Sequence, residues 1–181
     1  MNSSGLQTKL IVAGLVACAL AALFWPRGEE RTFKEPGGFL YDAQGRPAKL
    51  GSQLAPVSLV HFWATWCPPC IDEIPALQRL SRDFGQHENF DIVMVAVQDD
   101  AKKAATFLGQ GWDMVLFDPD WDVANRYGTD KLPETYLVVR GEVVEKFVGQ
   151  TDWDNPELRQ KLTSLLGGTT ARTAAIPGSA P

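Results

Sequence analysis

Cys67 and Cys70 lie three positions apart, where an apolar segment gives way to a segment with helical periodicity. Two thiols at this spacing can close into a disulfide, and such a dithiol favours thiol–disulfide exchange. In that reaction one cysteine attacks a partner disulfide as a thiolate, and the other cysteine then resolves the mixed disulfide. The pattern therefore predicts a redox-active pair, Cys67–Cys70.

The two cysteines are predicted to have different roles. Cys67 precedes a proline, which disfavours the helical region of backbone space, so Cys67 should lie just before the helix. Its sulfur would then face the unpaired N–H groups at the helix N-terminus, which favour an anion. Cys67 is therefore predicted to be the exposed attacking thiol. Cys70, one turn inside the helix, is predicted to be the shielded resolving thiol.

Two other interpretations of the pair are weaker. A four-ligand zinc site is disfavoured because no second C-x-x-C exists, the third cysteine, Cys18, lies near the N-terminus, and the only histidines are His61 and His87. A permanent structural disulfide would close so short a loop that it would remove little chain entropy. We therefore expect redox chemistry without a metal or an organic cofactor.

The composition allows one modest domain with tails. The chain has 181 residues, of which 45% are hydrophobic, enough to supply a core. The formal net charge is −5, and the one cluster of basic residues is the pair Lys102-Lys103. Nucleic acid is therefore a poor candidate partner.

The N-terminal segment carries the information on localisation. Lys9 precedes an apolar segment, Leu10–Trp25, just below the usual membrane-spanning length of about 17–25 residues. The favoured interpretation is an uncleaved signal anchor over residues 1–25, with the domain facing the periplasm or the outside. The alternatives are a lipoprotein acylated at Cys18 and a secretory peptide cleaved near Ala21. In all three the soluble part is exported, and residues 26–36 form a polar tether.

Hydrophobic periodicity and turn residues predict an opening β-hairpin followed by the order β–α–β–α–β–α–β–β–α. This order implies a mixed sheet with helices on both faces, an α/β/α domain over residues 37–166. Residues 167–181 have nothing to pack and are predicted to be disordered. Strands are predicted at 39–41, 48–50, 57–63, 92–97, 114–117, 135–139 and 143–148. Helices are predicted at 101–108 (capped by Asp99 or Asp100), 120–127 and 152–166, and one further helix holds Cys70 in its first turn and ends near Phe84.

Three sequence strings carry a resemblance to a known family. They are FWATWCPPC with IDEIP after it, LFDPDWDVANRYG, and LPETYLV. Together they resemble the thioredoxin fold and, more narrowly, the membrane-tethered extracytoplasmic thiol–disulfide oxidoreductases of the TlpA/ResA/CcmG type, over Gly38 to Leu166. The resemblance implies a three-layer α/β/α sandwich with an N-terminal β-hairpin and a helix–strand insertion.

The same resemblance implies partners. Members of this family reduce disulfides in exported proteins, often in apocytochrome c before heme attachment or at copper-site cysteines. A membrane electron donor recharges them. The resemblance therefore implies a protein-disulfide reductase with disulfide-bearing substrates, a membrane donor, and a membrane contact through the N-terminal segment.

Four further site residues follow from the resemblance. Pro133 would be a cis-proline opposite the disulfide, and Leu132 would present its backbone to an extended substrate. Trp66 would form part of an apolar docking surface. Glu73 would lie close to the cysteines and relay the proton that Cys70 must lose, or, on the alternative reading, complement the helix dipole from the first turn.

Three other residues near the cysteines carry separate expectations. His61 stands where thioredoxins have a buried aspartate, and it is either a proton relay or, as we favour, a hydrogen-bonded core histidine. Trp63 is predicted to be a core residue. Pro75 should kink the active-site helix by removing one backbone hydrogen bond.

Two other functions fit parts of the pattern. A thiol peroxidase would need a Thr/Ser and Arg pattern around one cysteine, which does not appear near Cys67. A Sco-like copper metallochaperone would need C-x-x-x-C and a distal histidine, whereas the spacing here is one residue shorter. Pro68 and Pro69 lack N–H donors for the Cys67 thiolate, which favours an electron donor with a low reduction potential.

Overall fold

A computed structural model of the chain describes residues 33–109 and 115–173, with side chains as far as Gly167. The predicted anchor at Leu10–Trp25, the acylation site at Cys18 and the cleavage site near Ala21 lie outside the described residues. So do Met114, at the start of one predicted strand, and the last eight residues of the predicted disordered tail.

The described chain contains eight strands, four α-helices and one short 3-10 helix, and from the opening hairpin onward the strands and α-helices follow the predicted order. The strands are β1 (Phe33–Lys34), β2 (Phe39–Tyr41), β3 (Pro47–Lys49), β4 (Val57–Trp63), β5 (Phe90–Val97), β6 (Val115–Asp118), β7 (Glu134–Val139) and β8 (Glu142–Val148). The helices are α1 (Pro68–Phe84), α2 (Ala101–Leu108), α3 (Asp122–Tyr127) and α4 (Pro156–Thr173), and the 3-10 turn is Leu50–Gln53.

The strands form one mixed sheet in the order β1-β8-β7-β4-β5-β6-β2-β3. β4 lies in its interior, parallel to β5 and antiparallel to β7. Every residue of β4 is buried, which explains why five of its seven residues are apolar, while the buried polar residues are Ser58 and His61. The end of β4 is therefore held rigidly by its neighbours, and it positions the loop that leads to Cys67.

Side chains of β4 alternate between two hydrophobic cores, one on each face of the sheet. Leu59 and Trp63 point into the core that contains the buried residues of α1, α2 and α4. Val60 and Phe62 point into the other core, which contains those of α3 and of the opening hairpin. The predicted three-layer α/β/α arrangement, with its N-terminal hairpin, is confirmed.

The fold begins earlier than the sequence predicted. Phe33 and Lys34, assigned to the tether, pair with β8 as an edge strand. Glu35 follows them, and its Oε1 accepts hydrogen bonds from the Tyr127 hydroxyl (2.6 Å) and the Gly37 N–H (2.8 Å). The physical reason is that β8 would otherwise expose a row of unpaired backbone groups at the sheet edge.

Two helices also differ from their predicted limits: α3 begins at Asp122 rather than at residue 120, and α4 differs at both ends. α4 begins at Pro156 rather than at residue 152, and it continues through Thr173, past the glycines where it was expected to end. The first residues of the predicted tail are therefore helical. Asp100, rather than Asp99, caps α2 by accepting from the N–H groups of Lys102 and Lys103. α1 runs through Pro75 as one element, and the predicted kink there stays a prediction.

The described residues contain neither a membrane-spanning helix nor a cluster of metal ligands. No helix within residues 33–109 and 115–173 is long and apolar enough to cross a membrane. In the same part of the chain, no group of three or more His, Cys, Asp or Glu side chains could hold a metal ion.

Candidate active site

The cysteine pair lies at the junction between β4 and α1. Cys67 has extended backbone angles (φ −106°, ψ 98°) and immediately precedes the first residue of α1, as predicted. Pro68 suits the first helical position because the N–H it lacks would have no partner there. The local sequence therefore places the Cys67 sulfur at the helix N-terminus, where partial positive charge favours a thiolate.

Cys67 and Cys70 form a disulfide, with their Cα atoms 5.3 Å apart. Cys67 retains 5% of its surface and Cys70 none, so the predicted order of exposure is present but the attacking residue is largely covered. The Cys67 carbonyl oxygen accepts from the N–H groups of Cys70 (3.0 Å) and Ile71 (3.2 Å). A partner can therefore reach Cys67 only at the small part of its surface that is exposed.

The Leu132–Pro133 peptide bond is cis, as the resemblance implied. β7 starts at the next residue, Glu134, which pairs with Phe62 near the end of β4. This register brings Pro133 to the edge of the sheet from which the cysteine loop departs. Within the described residues, no hydrogen bond joins the Leu132 backbone to another group. Its peptide groups are therefore available to an extended chain.

Two tryptophans near the cysteines have opposite environments. Trp63 is fully buried, which confirms the prediction that it belongs to the core. Trp66 is 54% exposed, and its indole N–H donates to the Gln98 carbonyl oxygen (3.2 Å). An exposed indole beside the disulfide, with Pro68 and Pro69 also exposed, provides an apolar surface at the site.

Glu73 is a buried carboxylate, not a first-turn residue. It lies in the second turn of α1 and is only 2% exposed, so the interpretation as a first-turn dipole partner is wrong. Its Oε1 accepts hydrogen bonds from the Thr151 N–H (2.7 Å) and the Trp153 indole N–H (2.8 Å). Residues three apart on a helix share a face, which places Glu73 on the same side of α1 as Cys70.

Burial raises the pKa of Glu73 to about 7, against the opposing effect of the hydrogen bonds from Thr151 and Trp153. Its Oε2 is buried and has no partner among the described residues. A carboxyl group with this pKa exchanges its proton near neutral pH. The position and the pKa together suit a group that takes a proton from a neighbouring thiol.

His61 is a hydrogen-bonded core residue. It is fully buried on β4, and its Nδ1 lies 2.7 Å from the Thr135 hydroxyl on the paired strand. Burial lowers its pKa to about 3, so the ring is neutral at physiological pH. Its ring meets the Trp153 ring edge-on, with centroids 6.4 Å apart. Of the two expectations, the structure therefore supports the core role.

Thr151, Trp153 and Asp99 belong to the site but were not predicted as site residues. Thr151 and Trp153 follow β8, and they reach Glu73 only because β8 and α4 pack on the same core as α1. Asp99 accepts hydrogen bonds from Thr65, two residues before Cys67. One signal in the sequence could have indicated Trp153: a buried carboxylate such as Glu73 needs N–H donors, and an indole provides one.

Residues 32–162 match the Redoxin family. The chain belongs to that family. It is 29% identical over 133 residues to the thiol-disulfide oxidoreductase ResA of Geobacillus thermodenitrificans, covering 72% of this chain and 75% of the relative. It is 34% identical over 97 residues to the thiol:disulfide interchange protein CycY of Rhizobium leguminosarum bv. viciae, covering 51% of this chain and half of the relative. The chain is therefore a thiol–disulfide oxidoreductase with a thioredoxin-like domain, similar to ResA and CycY.

A solved structure supports the fold. The thiol:disulfide interchange protein of the thioredoxin family from Chlorobium tepidum superimposes with a TM-score of 0.60 at 21% identity. The match covers 75% of this chain and 97% of that protein. The predicted thioredoxin fold is thereby confirmed.

Replacing Glu73 by Gln should change how stability depends on pH. Between 4.5, the ordinary pKa, and about 7, the folded chain holds a proton that the unfolded chain has lost. The free energy of unfolding therefore falls as pH rises through this range. For the disulfide form of the wild type, we expect Glu73 to lower the free energy of unfolding by on the order of 3 kcal/mol across this pH range. In E73Q this decrease should be absent.

Urea denaturation at several pH values between 4.5 and 8 measures this difference. Gln keeps an oxygen that can accept from Thr151 and Trp153, so the variant should fold. The matched control is D72N, a loss of the same charge at the exposed neighbour on α1. Parallel curves for the wild type and E73Q would contradict the assignment.

Proposed function

We propose that this protein is a membrane-anchored, exported reductase of protein disulfides, with Cys67 as attacking and Cys70 as resolving thiol. The observation that carries the proposal is the position of Cys67, just before α1 and with the remaining exposed surface of the pair. Cys70 is fully covered and can react with Cys67 but not with a large partner.

The reaction transfers two electrons from the dithiol to the substrate. The Cys67 thiolate attacks one sulfur of a substrate disulfide, and the other substrate sulfur leaves and takes up a proton. Cys70 then loses its proton and attacks the Cys67 sulfur. This breaks the mixed disulfide, releases the second substrate thiol and forms the Cys67–Cys70 disulfide.

Glu73 is the proposed acceptor of the Cys70 proton. It lies on the same helix face, is buried, and has a pKa raised to about 7 by burial. A base with this pKa can take the proton and later return it to solvent without a large energetic penalty in either direction. His61, with a pKa lowered to about 3, is a much weaker base.

Substrate binding is proposed to use Trp66, Leu132 and Pro133. The Leu132 backbone, which has no hydrogen-bond partner within the described residues, offers strand-like hydrogen bonds to an extended segment of the substrate. The exposed Trp66 indole offers an apolar contact beside it. Because backbone hydrogen bonds carry little sequence information, such a site would accept more than one polypeptide.

The proposed substrates are disulfide-bearing exported proteins, with apocytochrome c before heme attachment as one candidate. The proposal rests on the likeness to the ResA and CycY relatives. A membrane electron donor would return the Cys67–Cys70 disulfide to the dithiol after each cycle. The proposed location is a cell membrane, with Leu10–Trp25 as a single N-terminal anchor and the domain facing the periplasm or the outside.

The first prediction separates the roles of the cysteines. In C70S the Cys67 thiol can still attack a partner disulfide, but no Cys70 thiol is present to resolve the mixed disulfide. Mixed disulfides between Cys67 and partner proteins should therefore accumulate, and a reducing agent should remove them. C67S should accumulate none, and both variants should lose disulfide-reductase activity. Non-reducing electrophoresis of the purified variants and mass spectrometry of the adducts measure this. Adducts on C67S instead of C70S would reverse the assignment.

The second prediction concerns the direction of electron flow. Pro68 and Pro69 lack N–H groups, and in the disulfide form the Cys70 N–H donates to the Cys67 carbonyl. The thiolate is then stabilised mainly by the helix dipole, so the reduction potential should lie nearer the about −270 mV of thioredoxin than the about −120 mV of DsbA. In P69H an added N–H should raise the potential and lower the Cys67 pKa.

Equilibration with glutathione measures both potentials. P156H, which changes an exposed proline at the start of α4, is the control for introducing a histidine into a first turn. A wild-type reduction potential near that of DsbA, or a P69H potential equal to that of the wild type, would contradict the proposed direction of electron flow.

The third prediction concerns the N-terminus. We expect the protein from the membrane fraction to retain residues 1–25, because the apolar segment approaches spanning length and is followed by polar residues. Intact-mass measurement tests this. A mass that begins at an acylated Cys18 would establish the lipoprotein alternative, and one that begins near Ala21 the secreted form.

A further inference from the structure

The segment before Cys67 is attached to the loop after β5 by a carboxylate. Both the N–H and the hydroxyl of Thr65 donate to Asp99, the hydroxyl at 2.8 Å. The Asp100 N–H also donates to the Asp99 carboxylate, at 2.8 Å. The contact arises because β4 and β5 are parallel neighbours, so the segments that follow them meet at one sheet edge.

Gln98, the neighbour of Asp99, forms a hydrogen bond with Trp66, the neighbour of Thr65. Gln98 accepts the indole N–H of Trp66 through its carbonyl oxygen, and its own N–H donates to the Asp118 carbonyl (3.0 Å). Gln98 has a φ of 47°, in the left-handed region that is uncommon for residues other than glycine. Backbone strain of this kind persists where surrounding contacts enforce it, and it occurs at functional sites.

Gln98 and Asp99 therefore fix two adjacent residues, Thr65 and Trp66, through three hydrogen bonds. Yet Trp66 buries less than half of its surface in the fold. Trp66 therefore contributes little to the core, yet a strained backbone and a carboxylate fix its orientation. This combination indicates a side chain that is preorganised to contact another molecule. Preorganised aromatic side chains are characteristic of binding surfaces because binding then costs less side-chain entropy.

We propose that Asp99 is a positioning residue for protein substrates: through Thr65 and Gln98 it holds the Trp66 indole in the orientation that a polypeptide partner contacts. Asp99 acts on docking and not on sulfur chemistry. Small disulfides, which need no docking surface, should react independently of it. The inference rests on the docking role of Trp66 proposed above.

The test compares two substrates on the full-length chain, with dithiothreitol as the reductant that returns the Cys67–Cys70 disulfide to the dithiol for turnover with insulin, and with the protein reduced beforehand for a single turnover with glutathione disulfide. Insulin provides a protein disulfide, and glutathione disulfide provides a small one. D99N removes the charge and leaves only one side-chain oxygen for the two Thr65 donors. We expect KM for insulin to rise about three- to tenfold, as for partial loss of a hydrogen bond to a charged group, with kcat nearly unchanged. The rate constant with glutathione disulfide and the reduction potential should not change.

The matched control is D100N, which makes the same charge change one residue away. The Asp100 side chain caps α2 by accepting from the N–H groups of Lys102 and Lys103, and Asn is an equally good cap. Both substrates should therefore behave as with the wild type. T65V, which lacks the hydroxyl, should reproduce part of the D99N effect, and T65S should restore the wild-type KM. These two variants keep the test valid if D99N does not fold.

A double-mutant cycle with W66F shows whether Asp99 acts through the indole. W66F should raise KM for insulin, and adding D99N should raise it little further, because the two residues act as a unit. Additive effects of D99N and W66F on KM for insulin would overturn the inference. So would a D99N variant whose activity falls equally with insulin and with glutathione disulfide. If W66F alone leaves KM unchanged, the docking role of Trp66 fails, and the inference fails with it. A wild type that reduces neither substrate would instead refute the proposed reductase function.

Discussion

The antiparallel pairing of β4 with β7 is the constraint on which the site depends. β4 ends four residues before Cys67, and β7 begins one residue after Pro133, so their pairing brings the disulfide and the cis-proline to one edge of the sheet. The same register places His61 opposite Thr135, which makes their hydrogen bond possible. A slip of one residue would turn every side chain of β7 to the opposite face and would separate these groups.

Burial has opposite effects on the two titratable groups in the core beneath the disulfide. It raises the pKa of the Glu73 carboxyl to about 7 and lowers the pKa of the His61 imidazole to about 3, because it disfavours the charged form of each. Trp153 contacts both, as a hydrogen-bond donor to Glu73 and as an edge-on neighbour of the His61 ring. Of these two groups, Glu73 is the one whose protonation changes near neutral pH. That is the property required of a group coupled to a thiol whose proton leaves and returns.

Predictions from the sequence were most accurate where the signal was local or was carried by a specific motif. The buried strand β4, the start of α1 directly after Cys67 and the cap of α2 follow from apolar runs and from the backbone preferences of Pro and Asp. The cis bond at Pro133 came from the resemblance, since cis peptide bonds are uncommon even before proline. The errors concerned long-range contacts. Strand β1 was assigned to a tether because two residues have no periodicity of their own. For Glu73, position in the chain alone could not decide between a proton relay beside the cysteines and a first-turn partner of the helix dipole.

The sequence by itself determined the redox pair, the difference between its two cysteines, the layered α/β/α class and the family. Each of these depends on residue types at short spacing or on the order of elements, both of which are visible along the chain. Only the tertiary structure decided the environment of Glu73, the neutrality of His61 and the attachment of Thr65 to Asp99. Their partners lie 34 to 80 residues away in the chain. Which distant donor or acceptor meets a buried group depends on sheet register and helix packing, and a pKa shift depends on how completely water is excluded.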